Sequence, residues 1–177
     1  MTVSRAWLTL GVVAAVGLAA SAQGPAPGKS AAEQLKLFRA HSPLLDQLLD
    51  QALRLAEAGD ALDRADRCRD AVVSLSRALS DAAGEPDADP SRVAELSGLL
   101  AGVVRDGFGP ALEQAGAVHQ PGSDGYKRLV ELRRRADVDL SNARAFRGEG
   151  AVGRSPQVRA ARGDLDAAVQ GLPPAGE

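Results

Sequence analysis

Between Leu44 and Ala83, Leu, Val and Ala return every three or four residues through two runs, LLDQLLDQALRLAEAG and DALDRADRCRDAVVSLSRALSDAA. That spacing puts the apolar residues on one side of a helix, whereas a strand would need them at every second position. In the first run Leu44, Leu48, Ala52 and Leu55 make one row, and Leu45, Leu49, Leu53 and Ala56 the row beside it. In the second, Leu62, Ala65, Cys68 or Val72, Leu75 and Leu79 fall on one face. Ala58-Gly59-Asp60 is too short a join for anything but a turn, with Gly59 placed to end one helix and Asp60 to cap the next. An antiparallel helical hairpin is expected.

The rest of the chain repeats this pattern and shows no convincing alternation at period two. Ser30-Ala31-Ala32-Glu33 has the capping-box spacing, and Leu35 and Phe38 follow on one face. Ser42-Pro43 either opens a second helix or kinks a continuous one from Ser30 to Ala58, and the continuous form is favoured. Asp89-Pro90 starts a further helix carrying Val93, Leu96, Leu100, Val103 and Val104. Its glycines weaken it by about 1 kcal/mol each relative to alanine, and a bend is expected near Gly107. A short helical piece, Pro110 to Ala115, leads into a loop from Gly116 to Gly125. Ser123-Asp124 caps a helix running to about Arg147 with Leu129, Leu132, Ala136, Leu140 and Ala143. After a glycine-rich hinge, Ser155-Pro156 opens a terminal helix that ends before Pro173-Pro174.

A helix with one apolar face must bury it against another helix, so the expected fold is all-α: an antiparallel bundle of four main helices plus a short C-terminal helix. The expected boundaries are a signal peptide at 1–22, a flexible linker at 23–29, the bundle at 30–147, and a hinge with a loosely docked terminal helix and disordered tail at 148–177. The first of these rests on Arg5, the apolar run Trp7 to Ala20, and the small-residue pattern Ala20-Ser21-Ala22. The run contains Gly11 and Gly17 and is shorter than the roughly 20 residues that a membrane span needs. Cleavage near Ala22 and export to the periplasm or beyond are therefore expected.

Composition narrows the function. The chain has 177 residues, with 21 Lys and Arg against 23 Asp and Glu. Loss of Arg5 with the leader takes the formal charge from −2 to −3, which argues against nucleic acid as a partner. Trp7 leaves with the leader, so Phe38, Phe108, Phe146 and Tyr126 are the remaining aromatics. A core of Leu, Val and Ala suits close helix packing better than a deep aromatic pocket. The single cysteine excludes a disulfide scaffold.

Three groups of residues invite chemistry. Asp60, Asp63, Asp66 and Asp70 lie three or four apart and could converge on a cation, but Arg64, Arg67 and Arg69 stand at pairing distance along the helix and neutralise them. Cys68 is a possible reactive thiol, because neighbouring arginines favour a thiolate. A nucleophile also needs a base, and the two histidines, His41 and His119, lie 27 and 51 residues away with no metal-ligand spacing. Neither an enzyme nor a resident cofactor is expected.

Charge is the third signal. Residues 23–124 carry −6 and residues 125–162 carry +6. Lys127, Arg128, Arg133, Arg134, Arg135, Arg144 and Arg147 form a candidate contact patch. It would suit an acidic protein partner, with a membrane surface less favoured and no aromatics interleaved for nucleic acid. The expected function is that of an exported bundle acting through protein contact, as adaptor, chaperone-like binder or sensor. The alternative is a periplasmic protein holding a small ligand or metal in the bundle interior.

Overall fold

The computed structural model describes the backbone of residues 31–145 and 150–174, with side chains from Ser42 onward. The expected signal peptide, the 23–29 linker and Arg147 lie outside the described residues. The described residues divide into two compact units between Asp46 and Gln47. The helices, in chain order, are α1 (Ala31–Ala56), α2 (Ala61–Gly84), α3 (Pro90–Gly102), a π-helical segment (Val103–Phe108), α4 (Gly109–Val118), α5 (Asp124–Ala145), α6 (Gly150–Arg154) and α7 (Pro156–Gln170). Among the described residues there is no strand. The backbone of α1 is continuous through Pro43. In the first unit, Ser42 Oγ stands 3.5 Å from Asp46 Oδ2.

Side-chain caps start several of the helices, each worth about 1 kcal/mol over alanine. Asp60 Oδ1 accepts the Asp63 N–H at 2.8 Å, and Asp89 Oδ1 accepts the Ser91 N–H at 2.9 Å. Ser123 Oγ accepts from the Tyr126 N–H at 3.1 Å. Gly59, expected to end α1, lies beyond it, because the helix stops at Ala56; positive φ occurs only at Gly122 and Gly150 among the described residues. Instead α1 frays through Ala58, whose N–H bonds the Leu55 carbonyl.

Within residues 47–174, α2 is the hub. Leu62, Ala65, Cys68, Val72, Leu75, Leu79 and Ala82 are buried along one face. Against this helix pack α3, the π segment, α4 and α5. The expected bend near Gly107 takes the form of the π segment, in which the Gly109 N–H reaches the Val104 carbonyl five residues back. The wider turn carries Phe108, the largest fully buried side chain, into the core.

The terminal helix is firmly held. α3 and α7 form the most extensive helix pair, burying Val158, Leu165 and Ala168. The described part of the expected hinge is the short α6, entered through Gly150 at φ +60°, with Val152 buried. Small residues permit this close packing: Ala65, Ala115 and Ala136 are all fully enclosed.

The apolar face expected on α1 is used only in part: Leu48 and Leu55 are half-buried. Leu49 and Leu53 are 62% and 67% exposed. α1 meets α2 through Gln47 and Gln51, whose Nε2 atoms donate to Ser74 Oγ at 2.9 and 2.8 Å. The core face of α2 is occupied by the later helices. This difference is measurable in urea. Leu75→Ala, at a fully enclosed position, should lower unfolding stability by about 2–5 kcal/mol, and Leu53→Ala by less than about 0.5 kcal/mol.

Candidate functional site

The aspartate-rich start of α2 is committed to fold contacts. Asp60 caps the helix, and Asp63 lies 3.5 Å from Arg67. The other two expected pairs along the helix give way to contacts between helices. Arg64 Nη1 donates to Gln114 Oε1 on α4 at 3.0 Å, and Arg69 Nη2 donates to Asp139 Oδ2 on α5 at 2.9 Å. A long arginine reaching a neighbouring helix ties two elements, which a pair within one helix cannot do. Among the described residues no three His, Cys, Asp or Glu side chains converge as a metal site requires.

Cys68 is buried in the packing between α2 and the π segment. A Cβ at Gly107 would lie 3.3 Å from its sulfur, so the glycine allows that turn to close over the thiol. Burial pushes the thiol up to about 11, and Arg64 opposes this only in part. The expected thiolate-promoting effect of the arginines is therefore outweighed. His119 packs over Gly125, where a Cβ would meet the imidazole ring at 2.3 Å. That contact fastens the α4–α5 loop. His41 lies where only the helical backbone is described.

The basic segment divides once placed on α5. Arg133 turns inward: its Nε donates to the Pro173 carbonyl at 3.0 Å and its Nη1 pairs with Asp137. Burial lowers the pKa of this guanidinium. Arg144 Nε bonds Asp166 on α7 at 2.6 Å, and the Arg144 carbonyl accepts from Arg162. Arg133 and Arg144 thus clamp the C-terminal helix, which is why they do not extend the outer patch. Lys127, Arg128, Arg134 and Arg135 remain exposed. Of these, Lys127 pairs with Asp124 at 3.1 Å. Arg134 and Arg135 share Glu131, at 2.9 and 2.6 Å. Their hydrogen bonds hold the Glu131 carboxyl down to about 2. The four cations face these two acids, leaving a surplus of two positive charges.

Two open grooves accompany these surfaces. One, of about 390 Å³, lies between Leu62 and Asp66 of α2 and Lys127 to Arg135 of α5. The other, of about 370 Å³, lies between the π segment and α7, with Arg105, Glu113 and Asp164 in its lining. Arg105 is already held by Asp106, at 3.0 Å.

Among the described residues, exposed apolar side chains cluster on α1. Six large apolar side chains are exposed among the described residues, and Leu45, Leu49 and Leu53 all belong to this helix. The other three, Leu99, Val118 and Val138, lie on three different helices. The cause is rotational. Two residues along a helix turn the side chain by about 200°. With Gln47 and Gln51 bonded to α2, Leu49 and Leu53 must point away from it. Ser74 uses both hydroxyl lone pairs for the glutamines and donates its proton to the Asp70 carbonyl at 2.9 Å. Gln51 Nε2 also approaches that carbonyl, at 3.3 Å, whereas Gln51 Oε1 is buried without a partner. The paired glutamines, four residues apart within a leucine run, were the signal for this geometry in the sequence.

The chain matches no protein-family model, no curated protein and no solved structure.

Two outcomes follow for the titrating groups. The folded-state pKa of Glu131 is depressed, so its contribution to stability is present above about 4.5 and is lost as pH falls toward about 2. Glu131→Gln should flatten the decline of the urea midpoint across that window relative to wild type. For Cys68 the folded protein holds the proton more tightly, so the contribution is lost as pH rises from 9 toward about 11. At pH 8 its thiolate fraction is about 100-fold below that of an ordinary thiol. Ellman's reagent should react correspondingly slowly with the folded protein and rapidly once urea unfolds it.

Proposed function

We propose that this protein is an exported component of the bacterial envelope that acts by binding another protein. In this reading an antiparallel bundle remains after the leader is removed near Ala22, and it carries no catalytic role. The observation that supports binding is the outward-facing apolar row of α1, centred on Leu49 and Leu53. Contiguous exposed apolar surface is a feature of interaction sites, whereas isolated surface leucines are ordinary. Helix α1 bonds Gln47 and Gln51 to α2 and keeps Leu48 and Leu55 half-buried, while Leu49 and Leu53 face solvent. That outer row is left for another molecule.

The basic surface of α5 is the second candidate, supported by its exposed Lys127, Arg128, Arg134 and Arg135. Its internal pairing with Asp124 and Glu131 makes it the weaker one, since exposed pairs contribute at most about 1 kcal/mol and are screened by salt.

Cross-linking in intact envelopes, followed by capture of the protein, separates the two surfaces. Leu49→Ser/Leu53→Ser should abolish the specific cross-linked species, whereas Arg134→Ala/Arg135→Ala should retain it. Identical species from wild type and the leucine double variant would remove the reading based on α1. An intact-mass measurement showing that exported protein retains Met1 would remove cleavage.

A further inference from the structure

We infer that the exposed face of α1 binds an amphipathic helix of another protein whose apolar row is flanked by lysine or arginine. This inference rests on the protein-contact reading above and names the chemistry of its partner. The apolar part of the surface is Leu49 and Leu53 together with Ala52 and Ala56, all exposed on one side of the helix. Leucines one turn apart with alanines between them make a shallow row, wide enough for one helix and too narrow for a sheet or a globular face. Helix-in-groove and helix-on-helix recognition use this kind of spacing.

The charge around the row selects the occupant. From Gln47 to Asp60 the ionisable residues are Asp50, Arg54, Glu57 and Asp60, a net charge of −2, and all four are exposed. Arg54 pairs with Asp50 at 2.9 Å, which leaves Glu57 as the unpaired acid just beyond the C-terminal end of the helix, with Asp60 capping α2 three residues on. That end already carries partial negative charge from its free carbonyls. A cationic flank on the partner therefore meets favourable potential along the row and most strongly near the α1–α2 join. Two other occupants are disfavoured by the same charges. An anionic lipid surface is repelled. A second copy of α1 would bring its own surplus acids into the contact.

The test uses the full chain and two synthetic amphipathic helices of the same length, one of Leu and Lys and one of Leu and Glu, each fluorescently labelled. Anisotropy should show saturable one-to-one binding of the Leu/Lys helix, at least about tenfold tighter than the Leu/Glu helix. Leu49→Ser/Leu53→Ser should weaken it by at least about tenfold, while Leu99→Ser, at another exposed leucine, should leave it unchanged. Asp50→Lys/Glu57→Lys should reverse the preference between the two helices. These residues are exposed, and an unchanged circular dichroism spectrum establishes that each variant is folded.

Equal binding of both helices, or binding indifferent to the leucine double variant, overturns the inference. So does a wild-type dimer dissolved by that variant, which would make a second copy the occupant. Binding to phosphatidylglycerol vesicles lost in the same variant would also overturn it, in favour of a lipid surface. If envelope cross-linking depends on Leu49 and Leu53 while the Leu/Lys helix fails to bind, protein contact stands and the basic-helix partner falls.

Discussion

Burial along one face of α2 organises the second unit. Seven residues from Leu62 to Ala82 present a continuous apolar surface, and α3, the π segment, α4 and α5 share it. Among the described residues no aromatic side chain other than Phe108 is fully buried, so packing depends on close approach between backbones. Alanines and Gly107 make that approach possible. The π turn follows from the same requirement. It adds a residue to the turn, and Val104 and Phe108 are both fully buried.

Polar contacts then secure what the core has positioned. Arg69 to Asp139 ties α2 to α5, and Arg64 to Gln114 ties α2 to α4. Arg133 and Arg144 hold the segment after α5 by reaching Pro173 and Asp166. These arginines act between elements far apart in the chain, so their charge is absorbed by the fold. The net positive charge of residues 125–162 consequently overstates the basic surface that α5 presents.

Helical class, the core positions of α2 and the strong caps at Asp60, Asp89 and Ser123 were readable from spacing, because each depends on residues within one or two turns. The destinations of Arg64 and Arg69 were not, since local acids at Asp60 and Asp66 offered equally good partners on paper. The bend near Gly107 was visible in its glycines, but its π form depends on the neighbouring packing at Cys68. The terminal helix, expected to dock loosely on account of the glycines before it and Gly163, is instead fixed by Val158, Leu165, Ala168 and Leu172. Linker composition reports the freedom of the linker and says little about the surface that the following helix finds.

The orientation of α1 follows from competition for one surface. A leucine row normally wins a place against a neighbouring helix, because each buried leucine gains about 1.5–3 kcal/mol. Here the core-facing side of α2 is filled by elements that come later in the chain, and Ser74 on its remaining side accepts from Gln47 and Gln51. Once Gln47 and Gln51 engage Ser74, helical geometry alone fixes Leu49 and Leu53 outward. The row is thus held in one orientation before any partner arrives, which reduces the conformational freedom a binding event must remove. The buried and unpartnered Gln51 Oε1 shows that this attachment is not fully satisfied. With Leu48 and Leu55 only half-buried and Leu49 and Leu53 outward, the segment from Gln47 to Ala56 still has apolar area to bury against an external contact.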